Sequence, residues 1–275
     1  MTATLSPVEP AFCEAAGLSY LRAGAEGPAV VLLHGWSAFK EIWWSTLIAL
    51  APHARAFAPD MPGHGDSALG SSLRMALIAE RAGRFCDDLG LGRITLVGHS
   101  MGGNVALELA LARPDLVERL VLVDPALEGS AMPIYTRSYL GQVYGWAVMR
   151  ASMTLAAQAG RLGRLIPHLH GGGMLRPALR RASYWPRHDA AALHWLLRDL
   201  IGSSVAARTA ELRVPTLVIS GEFDPLVPPA LSERAAAAIP NARYALIRGA
   251  AHNPMDERPQ AFEQALLEFL GFRPT

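Results

Sequence analysis

A serine flanked by glycines, between an apolar run and a helical pattern, most constrains how this chain folds. The run Arg93–Val97 is rich in aliphatic residues and leads into Gly98–Gly102, and helical spacing continues from Asn104 to about Ala112. A turn this sharp needs small neighbours and holds Ser100 in a strained backbone conformation, with its hydroxyl at the end of a strand. The Met101 N–H then lies at a helix N-terminus, where it faces developing negative charge. The pattern predicts a nucleophile elbow, although in a chain with 25 glycines it also fits an ordinary turn.

Composition sets the size and the broad class of the protein. A chain of 275 residues, 51% hydrophobic and 18% charged, fits one large α/β domain or a domain with a modest insertion. A net charge of +1 gives no electrostatic reason to expect nucleic acid or an anionic membrane as partner. Lys40 is the only lysine, and the two cysteines, Cys13 and Cys86, have no metal-ligand spacing. No signal peptide and no apolar run of ~20 residues is visible, so we expect a cytoplasmic protein.

The order of strand-like and helical patterns predicts an α/β fold with an insertion. Strands alternate with helices through residues 1–124, which predicts a mostly parallel sheet with helices on both faces. The rhythm resumes at residues 214–275, and we expect these two parts to form the core. Residues 125–213 contain only amphipathic helical stretches, which predicts a helical cap over the carboxyl edge of the sheet. The clearest helical stretches are Pro133–Arg150, Ala151–Leu165 and Ala190–Ser203, and we expect His170–Gly173 to form a hinge-like loop.

Two residues after the insertion supply an acid and a base. Asp224 follows one buried strand and His252 follows the next, so both should meet Ser100 at one rim of the sheet. A serine hydroxyl is a weak nucleophile near pH 7 and needs such a base, which in turn needs an orienting acid. Asp124 also follows a buried strand and is the alternative acid. We favour Asp224, because Asp124 precedes Pro125 and leads into the insertion through a turn.

Five segments in a fixed order carry a resemblance to a known family. They are His34-Gly35-Trp36, Asp60–Ser67, Gly98–Gly103, Gly221–Asp224 and Gly249–His252. With these segments the chain resembles the α/β-hydrolase superfamily, in its capped, serine-esterase-like branch, from residue 30 to residue 256. Ser100, Asp224 and His252 also follow the chain order of that superfamily.

The resemblance implies a role for each of these residues. Ser100 would attack a carbonyl, His252 would take its proton, and Asp224 would orient His252. The backbone N–H groups of Trp36 and Met101 would form the oxyanion hole. Many members have glycine after the aromatic residue of the first segment, where this chain has a serine at position 37.

The other histidines are expected to have structural roles. His99 should pack away from the nucleophile, His34 should brace the oxyanion loop, and His64 should stabilise its own turn. His168 and His170 lie in a glycine-rich loop without carboxylates, so we expect no metal.

The substrate is expected to be a small-to-medium hydrophobic carboxylic ester, cleaved through an acyl-enzyme without a cofactor. Trp36 and Met101 would form an apolar floor, while the cap residues that touch the substrate cannot be assigned from the sequence. Candidates are the aromatic and methionine residues of the insertion, namely Tyr135, Tyr139, Tyr144, Trp146, Met149, Met153, Tyr184, Trp185 and Trp195. A monomer or a homodimer is expected.

Other chemistry is compatible with the same residues. The alternatives are a hydrolase of C–C bonds (meta-cleavage products), a lactonase, a cofactor-free perhydrolase or haloperoxidase, and a non-catalytic ligand-binding module. Dehalogenases and epoxide hydrolases of this fold use an aspartate nucleophile, and Ser100 argues against both.

Overall fold

The computed structural model describes residues 8–70, 73–132, 145–164 and 184–273, and its centre is one eight-stranded sheet. The strands are β1 (Val8–Cys13), β2 (Leu18–Ala23), β3 (Ala29–Leu33), β4 (Arg55–Pro59), β5 (Ile94–His99), β6 (Val117–Val123), β7 (Thr216–Gly221) and β8 (Ala242–Ile247). Their order in the sheet is β1-β2-β4-β3-β5-β6-β7-β8. β2 pairs antiparallel with both β1 and β4, and all other pairs are parallel. The predicted mostly parallel sheet is confirmed.

Helices cover both faces of the sheet, as predicted. They are α1 (Trp44–Leu50), α2 (Met75–Asp88), α3 (Met101–Ala112), α4 (Gly145–Arg164), α5 (Ala190–Gly202), α6 (Pro229–Ala238), α7 (Pro254–Glu257) and α8 (Pro259–Leu270). Leu47 of α1 and Phe262 of α8 pack on one face, whereas Phe85 of α2 and Val105 of α3 pack on the other. Alternate residues of the fully buried β3 enter the two cores, because side chains of a strand point to opposite faces.

The inserted segment, residues 125–213, joins the neighbouring strands β6 and β7. Its described residues form α4, α5 and short 3₁₀ helices at Gly129–Ala131, Trp185–Arg187 and Ala206–Glu211. α5 confirms the predicted helix over residues 190–203, and Asp189 caps it by accepting from the Ala192 N–H at 2.8 Å.

One helix boundary in the insertion was predicted wrongly. We expected separate helices on either side of residue 150, but α4 runs without a break through Arg150 and Ala151, both of which favour helix. The rest of the predicted first helix, the glycine loop and His168 and His170 lie outside the described residues. The division into core and cap stays a prediction.

Within the described ranges, each helix is too short or too polar to cross a membrane.

Candidate active site

The elbow has the strained geometry that its sequence predicts. Ser100 stands between β5 and α3 with φ 53° and ψ −115°, in a region that favours glycine. A Cβ atom on Gly98 would lie 2.3 Å from the Gly102 carbonyl oxygen, and one on Gly102 would lie 2.4 Å from the Leu33 carbonyl oxygen. Both glycines are therefore required by close backbone approach on either side of Ser100.

Asp224 and His252 meet after the ends of β7 and β8. His252 Nδ1 lies 2.7 Å from Asp224 Oδ2, and both residues are buried. The other carboxylate oxygen of Asp224 accepts from the N–H groups of Leu226 at 2.7 Å and Val227 at 3.0 Å. Since a carboxylate only accepts, Nδ1 carries the proton and the opposite nitrogen, Nε2, is left to act as a base.

His99 connects the elbow to the loop that carries His252. Its Nε2 donates to the His252 carbonyl oxygen at 2.7 Å, and the two rings lie 4.8 Å apart. We expected only a packing role for His99. The hydrogen bond instead fixes the backbone of His252 relative to the residue that precedes Ser100.

Asp124, the alternative acid, lies beside the chosen acid and does more than form a turn. It is fully buried with φ 43°, and its Oδ1 accepts from the Gly221 N–H at 2.9 Å and from Ser220 Oγ at 3.1 Å. One ligand atom each of Asp124, Asp224 and His252 lie within 4.8 Å of one another. Burial, and then the charge of Asp224, raise the pKa of Asp124 well above its ordinary value.

Burial and the neighbouring Asp224 charge therefore favour the protonated form of Asp124. The spacing of the three groups would suit a cation, but the raised pKa of Asp124 and the hydrogen bond between Asp224 and His252 both oppose metal binding.

The loop after β3 lies against the elbow. A Cβ atom on Gly35 would be 3.0 Å from the Ser100 Cβ atom, so the loop and the serine are in contact distance. His34 braces this loop, as predicted: its Nε2 accepts from the Met61 N–H at 2.8 Å and its Nδ1 donates to the Gly35 carbonyl at 2.8 Å. Burial lowers the pKa of His34, which keeps the ring neutral and allows one nitrogen to accept.

Ser37 adopts a left-handed backbone conformation that favours glycine. Its φ is 56°, and its N–H donates to His64 Nε2 at 3.1 Å. His64 thus stabilises the neighbouring loop as well as its own turn, and burial keeps the pKa of this histidine well below its ordinary value.

Residues of the inserted segment reach the same loop. The Trp36 indole Nε1 donates to the Leu193 carbonyl at 2.8 Å. His188 Nε2 donates to the Ser37 carbonyl at 3.1 Å, while its Nδ1 accepts from the Gly65 N–H at 3.2 Å. Sequence reasoning missed His188, because no motif surrounds it.

An ionic cluster around the buried Lys40 supports the loop after β3. Lys40 Nζ lies 2.5 Å from Asp60 Oδ2 and 3.0 Å from Asp66 Oδ2, and the Lys40 side chain is 3% exposed. Arg187 of the inserted segment pairs with Glu41 at 3.1 Å and also with Asp66. Asp60 and Asp66 belong to one of the five segments named from the sequence, but their pairing with Lys40 was not predicted.

The expected substrate-contacting side chains are only partly accessible. Met101 is fully buried and Trp36 is half-buried. Trp195, in contrast, is 54% exposed, so it contributes to the surface of the inserted segment. Tyr135, Tyr139 and Tyr144 lie outside the described residues.

Comparison with known proteins agrees with this geometry. The family model of the α/β hydrolase fold matches residues 28–259, and the chain belongs to that family. The pimeloyl-[acyl-carrier protein] methyl ester esterase of Aeromonas hydrophila is 28% identical over 263 residues, which cover 90% of this chain and 96% of that relative.

Solved structures show the same fold over nearly the full chain. A hydrolase from Pseudomonas aeruginosa is 27% identical, covers 98% of this chain and 100% of its own, and has a TM-score of 0.74. The enol-lactonase of Burkholderia xenovorans is 23% identical, covers 93% and 97%, and has a TM-score of 0.76, which is a likeness of fold alone. The predicted class, an esterase-like α/β hydrolase, is confirmed.

Proposed function

We propose that the protein is a serine esterase that hydrolyses small-to-medium hydrophobic carboxylic esters through an acyl-enzyme. The observation that carries the proposal is the hydrogen bond of 2.7 Å between His252 and Asp224, together with a serine held at φ 53° on a strained elbow that His99 ties to the His252 carbonyl. Strain of this kind persists only where the surrounding structure enforces it, and it clusters at functional sites.

In the first half of the reaction, His252 Nε2 takes the proton of Ser100 while Ser100 Oγ bonds to the ester carbonyl carbon. Asp224 stabilises the imidazolium that forms, since its carboxylate accepts from Nδ1. Collapse of the tetrahedral intermediate expels the alcohol, which takes the proton from His252. Water then repeats the sequence on the acyl-enzyme and releases the acid.

The oxyanion is assigned to the backbone N–H groups of Trp36 and Met101. The loop that contains Trp36 lies against Ser100, and Met101 is the first residue of α3. Two such donors stabilise the negative charge of the intermediate, and removing one typically costs ~10²–10³-fold in turnover.

The chemical class of the substrate rests on the apolar character of the residues around the serine. Trp36 and Met101 belong to or pack against the core on this side of the sheet. The name of the Aeromonas hydrophila relative specifies a methyl ester, so methyl esters belong in the test alongside aryl esters.

The test is hydrolysis of p-nitrophenyl esters from acetate to laurate and of matched methyl esters. Ser100→Ala is the paired variant, and an alkyl fluorophosphonate labels the active serine. We expect ester hydrolysis that falls to background in Ser100→Ala, together with loss of labelling. The acyl-chain optimum would give the length of the acyl site.

Two results would contradict the proposal. Undiminished hydrolysis in Ser100→Ala would exclude Ser100 as the nucleophile. A wild-type protein that neither hydrolyses any ester nor reacts with the phosphonate would exclude a serine esterase.

A further inference from the structure

We infer that the inserted segment positions the oxyanion hole, with His188 and the Leu193 carbonyl holding the loop that carries the Trp36 N–H. His188 is thereby a positioning residue, and it acts through Ser37 without touching substrate. The inference rests on the proposed function, because it concerns the geometry of the same oxyanion hole.

The contact is made on two consecutive residues of the loop. The indole of Trp36 donates to the Leu193 carbonyl at 2.8 Å, and the carbonyl of Ser37 accepts from His188 at 3.1 Å. Leu193 lies in α5 and His188 two residues before its start, so neighbouring residues of the inserted segment hold the loop at both positions. A movement of α5 must therefore move or release residues 36 and 37 together.

The loop needs this support because its conformation is unfavourable by itself. Ser37 is a non-glycine residue with φ 56°, a backbone region that costs free energy for an L-residue. Two histidines hold its peptide groups in place, since His64 accepts from its N–H and His188 donates to its carbonyl. One of those two histidines comes from the inserted segment.

The direction of the Trp36 N–H is fixed by the peptide bond that Trp36 shares with Gly35. The Gly35 carbonyl accepts from His34 Nδ1 at 2.8 Å and from the Ala38 N–H at 3.2 Å. Because the peptide unit is planar, these contacts orient the N–H on its opposite side. Residues of the core therefore hold the peptide group between Gly35 and Trp36, and residues of the inserted segment hold the Trp36 indole and the Ser37 carbonyl.

His188 is itself firmly held. Its Nδ1 accepts from the Gly65 N–H at 3.2 Å, and its neighbour Arg187 pairs with Glu41 at 3.1 Å. The Tyr184 and Phe39 rings stack with centroids 4.2 Å apart. The segment that contains His188 is thus bound to the core through Gly65, Glu41 and Phe39, so the His188 ring can hold the Ser37 carbonyl in a fixed position.

The functional consequence concerns turnover more than substrate binding. An oxyanion donor matters mainly in the tetrahedral intermediate, and a misplacement of about 1 Å at a reacting centre can cost ~10²-fold. We therefore expect loss of either contact to lower kcat and leave KM nearly unchanged.

The test uses four variants of the full chain. His188→Phe keeps a ring but removes both hydrogen bonds, and Trp36→Phe removes the indole N–H while leaving the backbone N–H. Trp44→Phe is the matched control, because it removes an indole N–H from an exposed position on α1. His188→Gln, which retains a donor for the Ser37 carbonyl, tests rescue.

Each variant is assayed for kcat and KM with a p-nitrophenyl ester and for inhibition by an alkyl trifluoromethyl ketone, which forms a tetrahedral oxyanion on the serine. We expect His188→Phe and Trp36→Phe to lower kcat about tenfold or more. Their inhibition constants should rise in proportion to the fall in kcat/KM, and His188→Gln should recover part of both. Trp44→Phe should match wild type.

Folded His188→Phe and Trp36→Phe proteins with wild-type kcat and inhibition constant would overturn the inference. Thermal unfolding of each variant shows whether it is folded, and Trp36→Phe keeps the test decisive if His188→Phe does not fold. An inactive wild type would overturn the proposed function and this inference together, whereas an active wild type with unaffected variants overturns the positioning role alone.

Discussion

Acidification should destabilise the protein through His188, and the size of the effect follows from its surroundings. Burial, and then the nearby His34, lower the pKa of His188 from 6.5 to about 4. Arg187 opposes protonation as well, whereas the Ser37 carbonyl and Asp60 favour it. The neutral ring is required, because Nδ1 accepts a hydrogen bond from Gly65.

The sign and the magnitude can be worked out from these two pKa values. Above about pH 6.5 the ring is neutral in both the folded and the unfolded chain. Between about pH 6.5 and about pH 4 the unfolded chain binds a proton that the folded chain does not, so stability falls as the pH falls. At about 1.4 kcal/mol per pH unit, the full loss attributable to His188 is about 3 kcal/mol, and it levels off below about pH 4.

The measurement is urea unfolding, followed by tryptophan fluorescence, of wild type and His188→Gln in steps from about pH 7 to about pH 4. The difference in the free energy of unfolding between the two proteins should narrow by about 3 kcal/mol over this range. His34 and His64 also have lowered pKa values, but they are present in both proteins and contribute to both curves. Parallel curves over the whole range would refute the reasoning.

Three further substitutions test the site and its support. Asp124→Asn should keep more of the proposed esterase activity than Asp224→Asn, because burial favours the uncharged form of Asp124 and the His252 ring is bonded to Asp224; an equal loss of kcat/KM in the two variants would contradict this. Gly98→Ala should lower the melting temperature and the phosphonate labelling rate, since its Cβ would lie 2.3 Å from a backbone oxygen; unchanged values would contradict the packing argument. Lys40→Met should lower the free energy of unfolding by about 3–5 kcal/mol in urea titrations, because it leaves Asp60 buried without its cation. A loss below about 1 kcal/mol is what a solvent-exposed ion pair would give, and it would contradict the buried pair.

The sheet and the three candidate catalytic residues could be predicted because their signals are local. β3 and β7 are short apolar runs bounded by turn residues, and parallel strands end at a common edge. A residue placed just after such a strand, as Asp224 is, must therefore lie at that edge. The sequence favoured Asp224 over Asp124 by its position, and the side-chain contacts show that the Asp224 carboxylate meets His252.

The bracing of the oxyanion loop by His34 was predicted, but its support by the inserted segment could not be, since that depends on packing between distant parts of the chain. His188 is far in sequence from Ser37, which it contacts, and no residue pattern marks it. The same holds for Lys40, whose partners Asp60 and Asp66 belong to a later loop. Contacts of this kind are set by how the inserted segment packs on the core, and one sequence does not encode them in any short window.

The adjacency of β6 and β7 has a consequence for how this protein can diversify. These strands are neighbours in the sheet, yet residues 124–215 lie between them in the chain. The entropy lost on closing a loop grows only with the logarithm of its length, about 0.6 kcal/mol for each doubling. Evolution can therefore lengthen, shorten or replace the segment between β6 and β7 at small cost to the stability of the sheet. The residues that such a replacement must preserve are the few that meet the loop after β3.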